Sequence, residues 1–249
     1  MEPIGYATLY TQPRQLTGLG NISEIWIADA LSHEGDVRLY IKRATNPEIL
    51  AECLSALLAR QLDLPSPRVF VVADPERLID GDLFVGSEDA GSPSIKQRLE
   101  SGDPAVEKVL RKWEKLHQLT LFDEWIANPD RNLGNLLWGG GDDWNLIDHA
   151  YSLWSAMDEP RPRHPVTNKF AEIVKAFEGD LGPARLRREW AEFGPRCEEI
   201  DHTEIQTASQ CERFGMSERS ENTLSCLKDR LNQMPNLIAR HGDQMDLLP

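Results

Sequence analysis

The run Asn128-Pro129-Asp130-Arg131-Asn132-Leu133-Gly134-Asn135, with Asp148 thirteen residues after Asn135, carries a carboxylate, an amide and a second carboxylate in one stretch. Asp130 stands five residues before Asn135. Such a set suits phosphoryl transfer. One carboxylate orients an attacking hydroxyl, while an amide oxygen and the other carboxylate hold Mg²⁺ on the phosphates of ATP. Asp130 is therefore the expected base, and Asn135 and Asp148 the expected metal ligands. Each also has a plainer reading. An Asp after Asn-Pro is a common turn residue, Asn readily bonds its own backbone, and Asp148 can simply end the strand that closes with Leu146-Ile147. His149 lacks His or Cys partners at ligand spacing and is expected to support loop geometry, not to bind metal.

Phosphates also need a cation. Lys42 ends a stretch of period-two alternation over 37–42, so a strand there can point it inward with a helix carboxylate to hold it. Glu52 is the better partner and Glu48 the fallback, four residues apart on one helix face. A surface Lys and a surface Glu are the alternative for any single pair. Gly18 and Gly20, in Thr17-Gly18-Leu19-Gly20-Asn21, could cover phosphates with backbone N–H groups, although paired glycines also serve turns. By order along the chain, Val85, Ser87 and Glu88 are expected to contact adenine.

The elements that must position these groups follow from pattern. Ile22, Ile25 and Ile27 alternate after the glycine turn, and 33–36 is a turn by composition. A helix is expected over 47–61, capped by Asn46, with Leu50, Leu54, Leu57 and Leu58 as its apolar face. Strands over 68–73 and 83–86 are joined by a turn ending in Asp80-Gly81. Residues 87–92 read as a hinge. Apolar positions from 104 to 127 keep helical spacing, as for one long helix. Residues 136–138 and 144–147 flank a glycine-rich hairpin turn, and the chain beyond 165 is mostly helical. This predicts an α+β fold: one domain over 1–249, with a strand-rich lobe over 1–87 and a helical lobe over 88–249.

Of the 249 residues, enough are acidic to give a formal charge of −14. That argues against direct nucleic-acid binding and against docking on anionic lipid. The four cysteines show neither a C-x-x-C pair nor zinc spacing, so reduced thiols and a cytoplasmic location are expected. The N-terminus has no signal-peptide pattern, and no apolar run reaches membrane-spanning length.

Strand Lys, helix Glu, hairpin, hinge, helix, D-x-x-x-x-N, hairpin and Asp follow the order found in protein kinases. In detail, Phe122-Asp123-x-x-Ile126-x-Asn128-x-Asp130-Arg131 resembles the FD-x-x-I-x-N-x-DR signature of HipA-like kinases. Glu52 to Ala59, then Leu62-Asp63-Leu64-Pro65-x-Pro67, resembles that family's helix-to-strand passage. Leu146-Ile147-Asp148-His149 is similar to the metal segment of phosphatidylinositol kinases. The likeness spans about 15–155 and is most specific over 122–149. It implies a two-lobed kinase-like fold, ATP and Mg²⁺ as cofactors, and transfer to Ser or Thr of a protein substrate. It also implies an antitoxin partner, since many members are toxins of toxin–antitoxin pairs. The chain departs from the family in its glycine loop and in being short, with no counterpart of the extra N-terminal subdomain. The alternatives are a lipid or small-molecule kinase, or a nucleotide-binding pseudokinase acting as an interaction module.

Overall fold

The computed structural model describes residues 1–16, 24–79, 83–178 and 183–243. The glycine loop of Thr17 to Asn21 and the Asp80-Gly81 turn lie outside the described residues. The fold is mixed α+β.

Six strands form the main sheet: β1 (Gly5–Leu9), β2 (Arg14–Leu16), β3 (Ile25–Ser32), β4 (Gly35–Arg43), β5 (Val69–Ala73) and β6 (Leu83–Glu88). Their order is β1-β5-β6-β4-β3-β2, and β1 also pairs with β3 through Ala7, Thr8 and Leu9. Five strands thus close into a ring, with β1–β5 the parallel pair and the other neighbours antiparallel. The ring encloses its own small core, including Leu9, Trp26, Leu39, Ile41, Phe70 and Phe84. Closure depends on small residues. Ala7, Ala28 and Ala30 face inward, and a Cβ on Gly5 would sit 2.3 Å from the Phe70 ring. The sequence pattern did not foresee β1, because its glycine and alanine read weakly as a strand.

Alternation along β4 puts Leu39 and Ile41 inside the ring and leaves Tyr40 and Lys42 on the opposite face. The helix α1 (Asn46–Gln61) contacts β5, β6 and a helix from the far end of the chain. Its cap is Thr45, not Asn46: Glu48 accepts hydrogen bonds from the Thr45 backbone N–H (2.7 Å) and hydroxyl (2.9 Å). That commits Glu48 to the helix start. Nor does α1 have a single apolar face. Every residue from Ile49 to Ala59 is buried, because the helix is sandwiched between the sheet and other helices.

The single helix expected over 104–127 is two, α3 (Val106–Lys112) and α4 (Leu116–Trp125), preceded by α2 (Ile95–Glu100). The break has a tertiary cause. Trp113 turns to ψ 116° and its ring stacks on Trp144 at 4.7 Å. Helix α2 was legible and was missed: Ser94 and Gln97 form a capping box, with N–H to Oγ at 3.2 Å and N–H to Oε1 at 2.8 Å. The expected hairpin is present as β7 (Leu136–Gly140) and β8 (Asp143–Leu146). Its turn uses Gly140 and Gly141 at φ 115° and 53°, where glycine carries no Cβ penalty.

Helices α5 (Lys169–Glu178), α6 (Pro183–Glu198), α7 (His202–Ser209), α8 (Ser217–Leu231) and α9 (Met234–Asp243) complete the chain. With α1 and α4 they build the larger core. The irregular stretch before α5 is tied to α8 by two arginines. Arg219 donates to the carbonyls of Trp154, Met157 and Asp158, and fully buried Arg230 donates to those of Pro162 and His164. All four cysteines are free and buried. Among the described residues no helix is long and apolar enough to cross a membrane.

Candidate functional site

Lys42 leaves the outer face of β4 and meets two carboxylates. It pairs with Glu52 of α1, and its Nζ lies 2.5 Å from Asp148 Oδ1, 106 residues away in sequence. The other Asp148 oxygen accepts from Asn135 Nδ2 at 3.1 Å. Lys42, Glu52, Asn135 and Asp148 are thus brought together by a strand, a helix, a 3-10 turn and the segment after β8.

The electrostatics favour the charged forms of Lys42 and Glu52. Burial alone would depress the Lys42 ammonium, but the charges of Glu52 and then Asp148 outweigh it and hold it above the ordinary lysine value. Burial would likewise raise Glu52. The Lys42 charge, followed by the His149 contact, instead holds it well below the usual carboxylate range. Glu52 Oε2 also accepts the His149 backbone N–H at 2.8 Å. Asp148 remains 40 % exposed, so part of its carboxylate faces the cleft. Its φ of 63° is left-handed, a conformation Asp tolerates better than most non-glycine residues.

His149 is buried, 3.6 Å from Glu52 and edge-on to Phe122. Burial, then the Arg131 charge, holds its imidazole below the ordinary 6.5. The unfolded chain takes up a proton near that pH and the folded chain does not. Stability must therefore fall as pH drops below about 6.5. His149→Phe keeps a ring and removes the titration. Urea midpoints measured at about pH 7 and about pH 5.5 should fall for the wild type and change less for the variant. Equal falls in both would show that His149 does not set this dependence.

The loop from Asn128 to Asn135 is held by its own side chains. Asn128 Nδ2 and the Arg131 guanidinium both donate to Asp123 of α4, at 2.8 Å and 3.1 Å. Arg131 Nη1 donates to the Ile147 carbonyl at 2.6 Å, joining this loop to the segment that carries Asp148. Asn132 Oδ1 accepts from Gly134 N–H, and Asn132 N–H donates to Asn135 Oδ1. That leaves the Asn135 amide oxygen with one free lone pair. Asp130, 39 % exposed, stands at the outer end of the loop, where Lys169 Nζ lies 2.6 Å from its Oδ1. Arg131 and Lys169 were not assigned roles from sequence. The DR pair signalled the first, but nothing local could signal the second.

A cleft beside Lys42 is lined by Ile25, Tyr40, Val69, Val85, Gly86, Ser87 and Ile147. Val85 and Ser87, the residues expected to contact adenine, line this cleft. Glu88 is not among the lining residues, and its carboxylate turns toward Arg68 at 3.9 Å. A larger cavity of about 170 Å³ lies elsewhere, near Asn168 and His241. Its carboxylate, Glu124, is occupied by Arg230 and His241, so the convergent chemistry belongs to the smaller cleft. Among the described residues no three His, Cys, Asp or Glu side chains form a metal cage. Mg²⁺ does not need one. It is commonly held by one or two carboxylates together with phosphate oxygens, and Asp148 supplies such a carboxylate. The Asn135 amide here turns its Nδ2 to Asp148 and its oxygen to the Asn132 N–H, and would have to turn over to share an ion with Asp148.

Known proteins supply a family and a fold. Among curated proteins there is no significant match. Of solved structures, the chain is similar to the crystal structure of the Helicobacter pylori proinflammatory kinase CtkA. The TM-score is 0.59 at 11 % identity, covering 97 % of this chain and 100 % of that one, which speaks to the fold alone. The HipA-like kinase family matches residues 33–175, from the turn before β4 into α5. That match takes in Lys42, Glu52, Asp130, Asn135 and Asp148 and more than half of the sequence: the chain belongs to the HipA-like kinase family.

Proposed function

We propose that this protein is an ATP- and Mg²⁺-dependent kinase that phosphorylates Ser or Thr of a protein. In this reading the chain is one kinase domain, with lobes over 1–87 and 88–249 meeting at the cleft beside Lys42. The supporting observation is the convergence of Lys42, Glu52, Asn135 and Asp148 from four separate elements. Lys42 would hold the inner phosphates of ATP and Glu52 would orient Lys42. Asp148 and Asn135 would hold Mg²⁺ on the phosphates, and Asp130 would accept the proton of the attacking hydroxyl. Val85 and Ser87 would contact the adenine. Gly18 and Gly20 stay assigned to the phosphates on sequence order alone. Family membership extends the proposal to a toxin restrained by an antitoxin partner in the cytoplasm.

The test uses labelled ATP and Mg²⁺ with a cell lysate, reading phosphoserine and phosphothreonine by mass spectrometry. Label appearing only in lipid or a small molecule would move the substrate class. ATP with Mg²⁺ should also stabilise the fold, by about 2.7 kcal/mol at a hundredfold excess over Kd. Asp148→Asn should lose the Mg²⁺-dependent part of the thermal shift. An equal shift from ATP plus chelator in both proteins would remove Asp148 from the metal.

A further inference from the structure

Resting on the kinase reading above, we infer that Lys169 is a catalytic cation of this site: it holds Asp130 before reaction and neutralises the transferring phosphoryl group during it. Its Nζ lies 2.6 Å from Asp130 Oδ1, although the two residues are 39 apart in sequence and on different elements. Two of the other cations near the loop are committed, and a third, Lys96, passes Gly134 with its ammonium 3.9 Å from Glu100. Arg131 is fully buried on Asp123 and the Ile147 carbonyl, and Lys42 is bridged between Glu52 and Asp148. The remaining loop positions, Asn132 to Asn135, carry no positive charge. Lys169 is the cation in direct contact with the Asp130 carboxylate, and charge neutralisation at that end of the site is assigned to it on this contact.

The backbone is built for this. Asn168, next to it and 3 % exposed, donates from Nδ2 to the Thr120 carbonyl of α4 at 2.9 Å. Its Oδ1 accepts the Ala171 N–H at 3.0 Å and so caps the start of α5. The backbone at Lys169 is thus anchored, while its side chain is 53 % exposed. Reach is sufficient. An acceptor oxygen must lie about 2.6–3.2 Å from Asp130 and about 3–3.5 Å from the phosphorus it attacks. An ammonium already touching Asp130 needs only a rotamer change to meet that phosphate.

In the step itself, Asp130 takes the proton of the acceptor hydroxyl and that oxygen forms a bond to the γ-phosphorus. The bond from phosphorus to the β–γ bridging oxygen breaks, and ADP leaves with the electron pair. Lys169 keeps its proton throughout and opposes the charge on the transferring oxygens. Asp130 then returns its proton to water.

A purely structural pair predicts otherwise, since ion pairs this exposed contribute little to stability. The test compares wild type, Lys169→Met and Lys169→Arg in single-turnover transfer from γ-labelled ATP with Mg²⁺, to the chain itself and to water. Lys169→Met should melt with the wild type and bind ADP·Mg²⁺ equally, yet transfer about 10²–10³-fold more slowly, the range for losing one preorganised charge-stabilising group. Lys169→Arg should recover most of the rate. Transfer by Lys169→Met as fast as wild type, or faster, overturns the role of Lys169 and leaves the kinase reading standing; faster transfer would make Lys169 a brake on Asp130. A wild type that binds ATP·Mg²⁺ and transfers nothing overturns the kinase reading itself, and this inference with it.

Discussion

Asp130→Asn is expected to bind ATP·Mg²⁺ as the wild type does while transferring phosphate about 10²–10⁴-fold more slowly, the range for loss of a general base. The substitution keeps the side-chain size. The loop geometry around residue 130 also survives, because it rests on the backbone N–H of Asp130 to Asn128 Oδ1 (3.1 Å) and on the carbonyl of Asp130 accepting from Asn132 (3.0 Å). What changes is the carboxylate, which pairs with Lys169 and does not line the cleft beside Lys42. Single-turnover transfer from labelled ATP, with circular dichroism to check folding, decides the matter. Transfer at the wild-type rate would reduce Asp130 to a turn residue. Loss of ATP binding together with transfer would place Asp130 among the nucleotide contacts instead.

The second large effect is on stability. Arg131 and Asp123 are both fully buried and paired. Removing one partner leaves an uncompensated charge in the interior, so Arg131→Met should cost about 3–5 kcal/mol. It also removes the donor to the Ile147 carbonyl that ties the Asp130 loop to the Asp148 segment. Urea denaturation gives the cost. Asp123→Leu combined with Arg131→Met should destabilise by much less than the sum of the two single changes, because no lone charge remains. Additive effects would mean that the two side chains act independently and that the pair is not the link between the two segments.

The sequence alone determined the parts that are local. The spacing of Asp130, Asn135 and Asp148, the alternation that ends in Lys42, the α1 carboxylates and the 136–147 hairpin all express short-range physics: period, turn chemistry and strand ends. The family signature over 122–131 is equally local, which is why family membership was legible before any fold was known. Glu52 was preferred over Glu48 from the sequence, but the physical reason needed the structure, because Glu48 is taken by the Thr45 cap. The division of the expected long helix at Trp113 needed it too, since the break is set by stacking on Trp144 across the hairpin. So did the five-strand ring, whose closure rests on a parallel pairing between β1 and β5, more than sixty residues apart. Lys169 marks the limit most clearly. Nothing in its neighbours separates it from a surface lysine at a helix start. Only the anchoring of Asn168 to α4 brings its ammonium to Asp130, because long-range contacts are decided by how buried surfaces pack and not by the order of residues along the chain.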